Sequence, residues 1–342
     1  MNDFSQVQKI QIGENNDQQR IDNFLKKILK GVPTSRIYKI IRDGQIRING
    51  KRCQAETKLN LGDLVRIPPI RISQNSQNSQ NSQNSSPQNL QNIQQKLQIL
   101  FEDENLIVVD KPAGIAVHGG SGVSFGVIEL LRHQRPQSKF LELAHRLDKE
   151  TSGILLIAKK KKYLNFLHEI FKNKFGNLVE KIYLLIVKGS FVNEIQKVNL
   201  PLFKFIDKNG ERRVKVDFDN GKPAQTIIKL LARWQDFSLL QAQIITGRTH
   251  QIRVHLSQLG FPILGDEKYG DFALNKNLTA QAKLNRMALH SWKLTLPKNS
   301  ENNHSENCEN NFFEFQSEVP LKFKKFIQSL GTPVKGKIPE NF

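Results

Sequence analysis

Asp148 stands in the setting that a reactive acid needs. The run His145-Arg146-Leu147-Asp148-Lys149-Glu150-Thr151-Ser152-Gly153 sets this carboxylate among cationic side chains, follows it with two hydroxyls and a glycine, and passes straight into apolar Ile154-Leu155-Leu156-Ile157-Ala158. A rigid strand that opens on a short polar loop displays the acid at the mouth of a cleft. A carboxylate placed there can attack an electrophilic carbon or stabilise a positively charged one. The local alternative is a turn in which Asp148 only satisfies nearby backbone.

Two further polar groupings accompany it. Lys181 and Tyr183 lie two apart in the strand-like run Val179 to Gly189, so both side chains emerge on one face. In Thr246-Gly247-Arg248-Thr249-His250-Gln251-Ile252-Arg253-Val254-His255-Leu256, Thr249 is placed to cap a helix. The apolar side of that helix is Ile252, Leu256 and Leu259, with Arg253 on another face near its start. Taken singly, Tyr183 reads equally as a core tyrosine, Arg253 as a structural ion-pair partner, and His250 and His255 as ordinary helix residues. A metal-dependent nuclease built on His145, Asp148, His250 and His255 is a competing arrangement. Histidines five apart on a helix point in different directions, which spoils a shared ligand face.

The elements that must hold these residues fall into two modules. Between them Ser73 to Ser86 repeats Gln-Asn-Ser and offers nothing apolar to bury, the composition of a disordered linker. The boundaries read as an extension over 1–17, a small domain over 18–72, a linker over 73–96, a large domain over 97–330 and a tail over 331–342. In the small domain, Ile21, Phe24, Leu25, Ile28 and Leu29 keep helical spacing. Gly31-Val32-Pro33 breaks that helix, and a second, from Thr34 or Ser35, buries Ile37, Ile40 and Ile41. Gln45 to Gly50 alternates as a strand into an Asn-Gly hairpin turn, and Leu61 to Pro68 supplies the last strand. Arg36, Lys39, Arg42, Arg47, Lys51 and Arg52 then face solvent with Asp43 among them, a pattern suited to phosphate contact.

The large domain opens with two strands around an acidic turn, Leu97 to Pro112, and carries an amphipathic helix marked by Leu164, Leu167, Phe171 and Phe175. Strand-like runs follow at Val214 to Phe218, Thr226 to Leu231 and Phe237 to Ile245, without regular strand–helix alternation. The fold class is therefore α+β, a mixed, mainly antiparallel sheet with a central cleft. A second polar stretch, Asn299 to Asn311, reads as a surface loop. The glycines at 119, 120 and 122 match neither a Walker A loop nor a dinucleotide fingerprint.

Composition narrows the class of partner. Fifty-one Lys and Arg against 32 Asp and Glu leave a net charge of +19, an excess that draws polyanions. Residues 1–72 contribute 14 cations against 7 acids. No run of about 18 apolar residues is present to span a membrane. The polar, acid-containing N-terminus lacks the features of a secretory signal, and two distant cysteines, Cys53 and Cys308, offer no disulfide framework. A cytoplasmic, monomeric protein is expected.

The small domain, in particular SRIYKIIRDGQIRINGKR, resembles the S4 RNA-binding domain over most of residues 18–70. HRLDKETSG with its apolar strand, then KIY, then TGRTHQIRVHLSQLGFPILGDEKYG, resembles the RluA/RluC family of RNA pseudouridine synthases from about Phe101 through Leu296. Together with the S4-like module the likeness is to the C-type branch, which acts on 23S ribosomal RNA. The resemblance implies that uridine is isomerised to pseudouridine at several separate sites. The N1–C1′ bond breaks, the uracil turns and rejoins through C5, with no cofactor and no metal. Asp148 then corresponds to the catalytic aspartate and Arg253 to the arginine that pairs with it. Tyr183 corresponds to the tyrosine that packs on the base and is placed for proton removal. Arg146 corresponds to the arginine that fills the space left by the flipped uridine. A non-catalytic S4-type RNA-binding protein of ribosome assembly is the alternative, but binding alone gives no reason for an acid facing a phosphate backbone.

Overall fold

The computed structural model describes residues 6–29, 31–70, 97–119, 125–172, 179–281, 284–298, 312–340 and 342. The Gln-Asn-Ser linker, the Asn299–Asn311 stretch, Phe175 and the glycines at 120 and 122 lie outside them. The chain divides into two compact units, Met1–Ser86 and Pro87–Phe342.

In the first unit, strand β1 (Gln8–Gln11) precedes helices α1 (Ile21–Ile28) and α2 (Thr34–Arg42) and strands β2 (Arg47–Ile48), β3 (Lys51–Arg52) and β4 (Leu64–Ile67). The four strands form an antiparallel sheet in the order β1-β4-β2-β3. Both helices bury the faces that their spacing foretold: Ile21, Phe24, Leu25, Ile37, Ile40 and Ile41 pack with Val65 and Ile67. Asn49 and Gly50 both take positive φ, 50° and 78°, as a type I′ hairpin turn demands. One difference concerns residues 8–12, which read as an extension ahead of the domain. They supply the strand beside β4 and bury Ile12 in the core.

The second unit contains strands β5 (Gln98–Glu102) and β6 (Leu106–Lys111), helix α3 (Val127–Gln134), strands β7 (Glu142–Leu143) and β8 (Ser152–Ala158), and helix α4 (Lys161–Phe171). Strands β9 (Glu180–Lys188), β10 (Ile195–Asn199), β11 (Leu202–Ile206), β12 (Arg212–Val216), β13 (Gln225–Arg233) and β14 (Phe237–Ile244) follow. Helices α5 (Gln251–Gln258) and α6 (Phe272–Gln281) lead to β15 (Leu289–Pro297), β16 (Phe312–Gln316), α7 (Leu321–Ser329) and β17 (Lys335–Gly336). The main sheet runs β10-β13-β14-β9-β15-β8-β6-β5, with β7 on β8, β16 on β15 and β17 on β13; β11 and β12 form a separate hairpin. Among the described pairings only β8 with β15 is parallel.

Continuous apolar runs make the central strands two-faced, as burial on both sides requires. On β6, Ile107 and Val109 enter the larger core with α3, α5 and α7, while Leu106 and Val108 enter a second core with α4. On β8, Leu155 and Ile157 join the first core, and Ile154, Leu156 and Ala158 the second. The segment read as a C-terminal tail is docked: Gly336 pairs with Ala232, and the Phe342 ring lies 6.0 Å from that of Phe323.

Candidate active site

The three constellations of the sequence meet because one strand joins two of them. Ser291 of β15 is in register with Gly153 at the start of β8 and with Tyr183 in β9. Gly153 has φ of +105°, and an added Cβ would collide with the Ser291 carbonyl oxygen. Only glycine fits that approach, so the loop carrying Asp148 enters the sheet one strand away from Tyr183.

Buried polar groups fix the loop. The Lys111 ammonium, with no solvent exposure, donates to the carbonyls of Pro112, Ile115 and Lys149 at 2.9, 2.8 and 3.0 Å. Burial lowers its pKa to about 7. His145 accepts the Leu156 N–H on Nε2 at 3.2 Å, and burial drives its pKa down to about 3. The Asp148 carbonyl accepts from the Thr151 N–H, closing the turn. The Asp148 side chain is left 26% exposed and open to a ligand.

Arg253 meets it from α5. Its Nη1 donates to Asp148 Oδ2 at 2.9 Å. Its other edge donates from Nε and Nη2 to both oxygens of Asp266, at 2.7 and 2.8 Å. That fork geometry is the one in which guanidinium binds carboxylate most strongly. Asp266 also accepts the N–H groups of Lys268 and Tyr269. Burial alone would lower the Arg253 pKa; Asp266 and then Asp148 more than reverse this and hold it above the arginine range. Burial likewise would raise Asp266, but the hydrogen bonds from Arg253 outweigh it and keep the acid below its usual range. Two carboxylates and one cation leave the cluster with a net negative charge.

Arg146, Asp148, Tyr183 and Arg253 all line one cleft of about 1090 Å³, together with Lys181, Arg248 and His250. Arg146 is exposed at its rim. Tyr183 is buried, 7% exposed, with its ring among core residues and on the cleft wall. Burial pushes its hydroxyl well above the usual tyrosine range, against a weaker opposing hydrogen bond with Ser291. A phenol held neutral in this way is suited to packing against a flat ring and to donating a hydrogen bond. The Lys181 ammonium sits 3.6 Å from the centre of the Phe171 ring, and burial lowers it to about 8.

Arg36, Lys39, Arg42, Arg47, Lys51 and Arg52 are all exposed in the first unit, as their positions around α2 and the hairpin required. The expectation for Thr249 does not hold. Helix α5 begins at Gln251, after His250 in the left-handed region at φ +53°, and no side chain caps it. Gln251 organises the turn instead: its Oε1 accepts from the Thr246 hydroxyl and the Arg248 N–H, and its Nε2 donates to the Gln225 carbonyl. His255 is buried between the Thr226 hydroxyl and the Leu200 carbonyl, remote in role from His250. Among the described residues no three His, Cys, Asp or Glu side chains gather as metal ligands, and no helix is long and apolar enough to cross a membrane.

Sequence reading missed Asp266, Tyr269 and Lys111. Asp266 and Tyr269 stand in GDEKYG, a run that shows turn-like composition but no periodicity to aim either toward Arg253. Lys111 reads as an ordinary surface lysine, and only the apolar run before it hints at burial.

Residues 105–258 match the RNA pseudouridylate synthase family, and residues 19–65 match the S4 domain. The chain is 46% identical over 299 residues to the ribosomal large subunit pseudouridine synthase C of Haemophilus influenzae, covering 87% of this chain and 90% of that one. It is 46% identical over 274 residues to the protein of the same name from Escherichia coli K12, covering 80% and 83%. Among solved structures, human RNA pseudouridylate synthase domain containing 4 superposes with a TM-score of 0.55 at 26% identity, over 72% of this chain and 97% of that one. The chain belongs to the family of RNA pseudouridine synthases, with an S4 domain ahead of the synthase domain.

Proposed function

We propose that this enzyme converts several separate uridines of 23S ribosomal RNA to pseudouridine, with Asp148 as the catalytic carboxylate. The observation that carries the reading is the pairing of Asp148 Oδ2 with Arg253 inside a cleft also lined by Arg146 and Tyr183. The names of the curated relatives supply the large ribosomal subunit as substrate.

The reaction is an isomerisation. The N1–C1′ bond breaks, the uracil turns, C5 bonds to C1′, and a proton leaves C5 while N1 gains one. Addition of the carboxylate to C6, its capture of C1′, and stabilisation of a positively charged sugar all use the same atom. That atom is Asp148 Oδ1, the oxygen that Arg253 leaves free. Arg253 holds the carboxylate in place, and Asp266 holds Arg253, so the acid is oriented before RNA arrives. The Tyr183 ring forms a wall against which an extruded base packs. Arg146, at the rim, is placed to occupy the gap in the RNA stack, which lowers the cost of flipping the base out. The cations of the S4 domain bind phosphate and set affinity instead of chemistry. No step here calls for a metal or a redox partner. The protein is read as a monomer working in the cytoplasm.

The test is chemical mapping of pseudouridine in unmodified large-subunit RNA after incubation with the purified protein. Conversion of discrete uridines by the wild type, and of none by Asp148→Asn with RNA affinity retained, is the expected result. Failure of the wild type to convert any uridine, in free RNA or in pre-ribosomal particles, overturns the reading.

A further inference from the structure

A short chain of hydrogen bonds ends beside the free oxygen of Asp148. The Val214 backbone N–H donates to the Tyr269 hydroxyl oxygen at 2.9 Å. That hydroxyl in turn lies 2.8 Å from His250 Nδ1. With the Val214 N–H on its oxygen, Tyr269 uses its remaining proton when it donates to Nδ1, and we assign the histidine that tautomer. The imidazole then carries its proton on Nε2. Burial lowers the His250 pKa from the ordinary value, against the raising effect of Asp148, with Arg253 and Lys268 lowering it further and Asp266 raising it. The ring is therefore neutral at physiological pH, with a single N–H facing the cleft.

That Nε2 lies 3.9 Å from Asp148 Oδ1. The distance is beyond hydrogen-bond range, so the proton is not committed to the carboxylate and remains available to a ligand. His250 also holds a left-handed backbone, φ +53°, which few non-glycine residues adopt, although asparagine, aspartate and histidine do so more readily than the rest. Strain of that kind gathers at functional sites. The ring is only 16% exposed and lines the same cleft as Asp148 and Tyr183.

We propose that His250 is a further catalytic residue, whose Nε2–H donates to the uracil carbonyl oxygen next to the bond that breaks. This rests on the reading of Asp148 given above. When N1–C1′ breaks, the uracil keeps the bonding pair, and the negative charge spreads over N1 and the carbonyl oxygens. O2 is the carbonyl oxygen beside N1. A donor set within about one atom's breadth of the oxygen that acts on the nucleoside meets O2 as this charge develops. A neutral imidazole stabilises the anion without surrendering its proton, so N1 is not quenched early. Turning the ring about its N3–C6 axis exchanges N1 with C5 and O2 with O4. The same fixed donor therefore meets a carbonyl oxygen before the turn and again after it.

The test compares His250→Gln with His250→Leu. The two share size and backbone strain and differ in the amide N–H that reaches the Nε2 position. With unmodified large-subunit RNA in single-turnover experiments, Leu lowers the rate about 100-fold, the loss typical of one preorganised donor. Gln recovers at least about tenfold of it, and the RNA dissociation constants of both stay within about threefold of wild type. Equal rates for the two variants, or a loss carried by RNA affinity alone, overturns the proposal. Wild type and Asp148→Asn run in parallel: an active wild type with an inert Asn variant leaves the parent reading standing whatever His250 does, and an inactive wild type removes both.

Discussion

Arg253 donates to Asp148 Oδ2 from one guanidinium nitrogen, 2.9 Å away, while the rest of the group is already clamped by a second acid that faces no substrate. The pair is lopsided in burial: the Arg253 side chain is 7% exposed and Asp148 26%. The cation is thus a fixture of the domain, and Asp148 is the partner that solvent and RNA can reach.

This asymmetry sets opposite outcomes for the two ends of the pair. Asp148→Ala leaves Arg253 neutralised by Asp266, and stability changes by about 1 kcal/mol or less. Arg253→Met leaves Asp266 buried without its cation and costs on the order of 3–5 kcal/mol. Urea melts of the two variants measure the difference; a smaller loss for Arg253→Met than for Asp148→Ala would show that Asp266 is not held by Arg253.

Much of this site is legible in the order of residues, and the illegible part has a physical cause. Gly153 after two hydroxyls, and a strand apolar at every position, fix the end of the Asp148 loop from local information alone. Tyr183 and Lys181 share a face by strand geometry. Asp266, by contrast, reaches Arg253 across a turn whose shape depends on contacts far away in sequence, such as Gly265 packed on the Arg286 carbonyl. Thr249 misled because a good capping residue is not a cap when the next residue turns left-handed. Nor could residues 8–12 be placed, since five residues next to a polar stretch resemble any extended segment until β4 is there to pair with them.

Acid weakens the second unit through histidines that fold in neutral form. Burial lowers both His145 and His290 to about 3. Between pH 6.5 and 3 the unfolded chain binds protons that the folded chain refuses, so stability falls as pH falls through that window. Each group removes on the order of 2 kcal/mol by pH 5. Denaturation monitored from pH 7 to 5 shows this slope. His290→Gln flattens it by about half; an unchanged slope in that variant would place the acid sensitivity elsewhere.

Salt separates positioning from chemistry. Replacing Arg42, Arg47, Lys51 and Arg52 together by Ala weakens RNA binding and lowers the slope of log affinity against log salt by up to about 4, near one unit for each phosphate no longer neutralised. The single-turnover rate at saturating protein is expected to stay within about threefold of wild type, because phosphate contacts set affinity and register, not chemistry. Filter binding between low and moderate salt reads the slope. A wild-type slope in the quadruple variant would remove these residues from the RNA interface.

Gly153→Ala tests the junction of β8 and β15. A methyl group there runs into the Ser291 carbonyl with φ at +105°, and neither strand can yield without breaking its pairing. The expected loss is on the order of 3 kcal/mol, with turnover depressed in the folded fraction. A melting temperature equal to wild type would mean that the two strands separate more easily than their register suggests.

The register of Ser291 has one more consequence. Its two neighbours stand on either side of a single strand, so the backbones at Gly153 and Tyr183 are about 9–10 Å apart, twice the interstrand repeat. Main-chain pairing through β15 sets that separation, and exchange of side chains leaves it unchanged. Divergence toward other RNA targets must therefore come from what decorates the rim, while the spacing between the Asp148 loop and Tyr183 is inherited with the sheet.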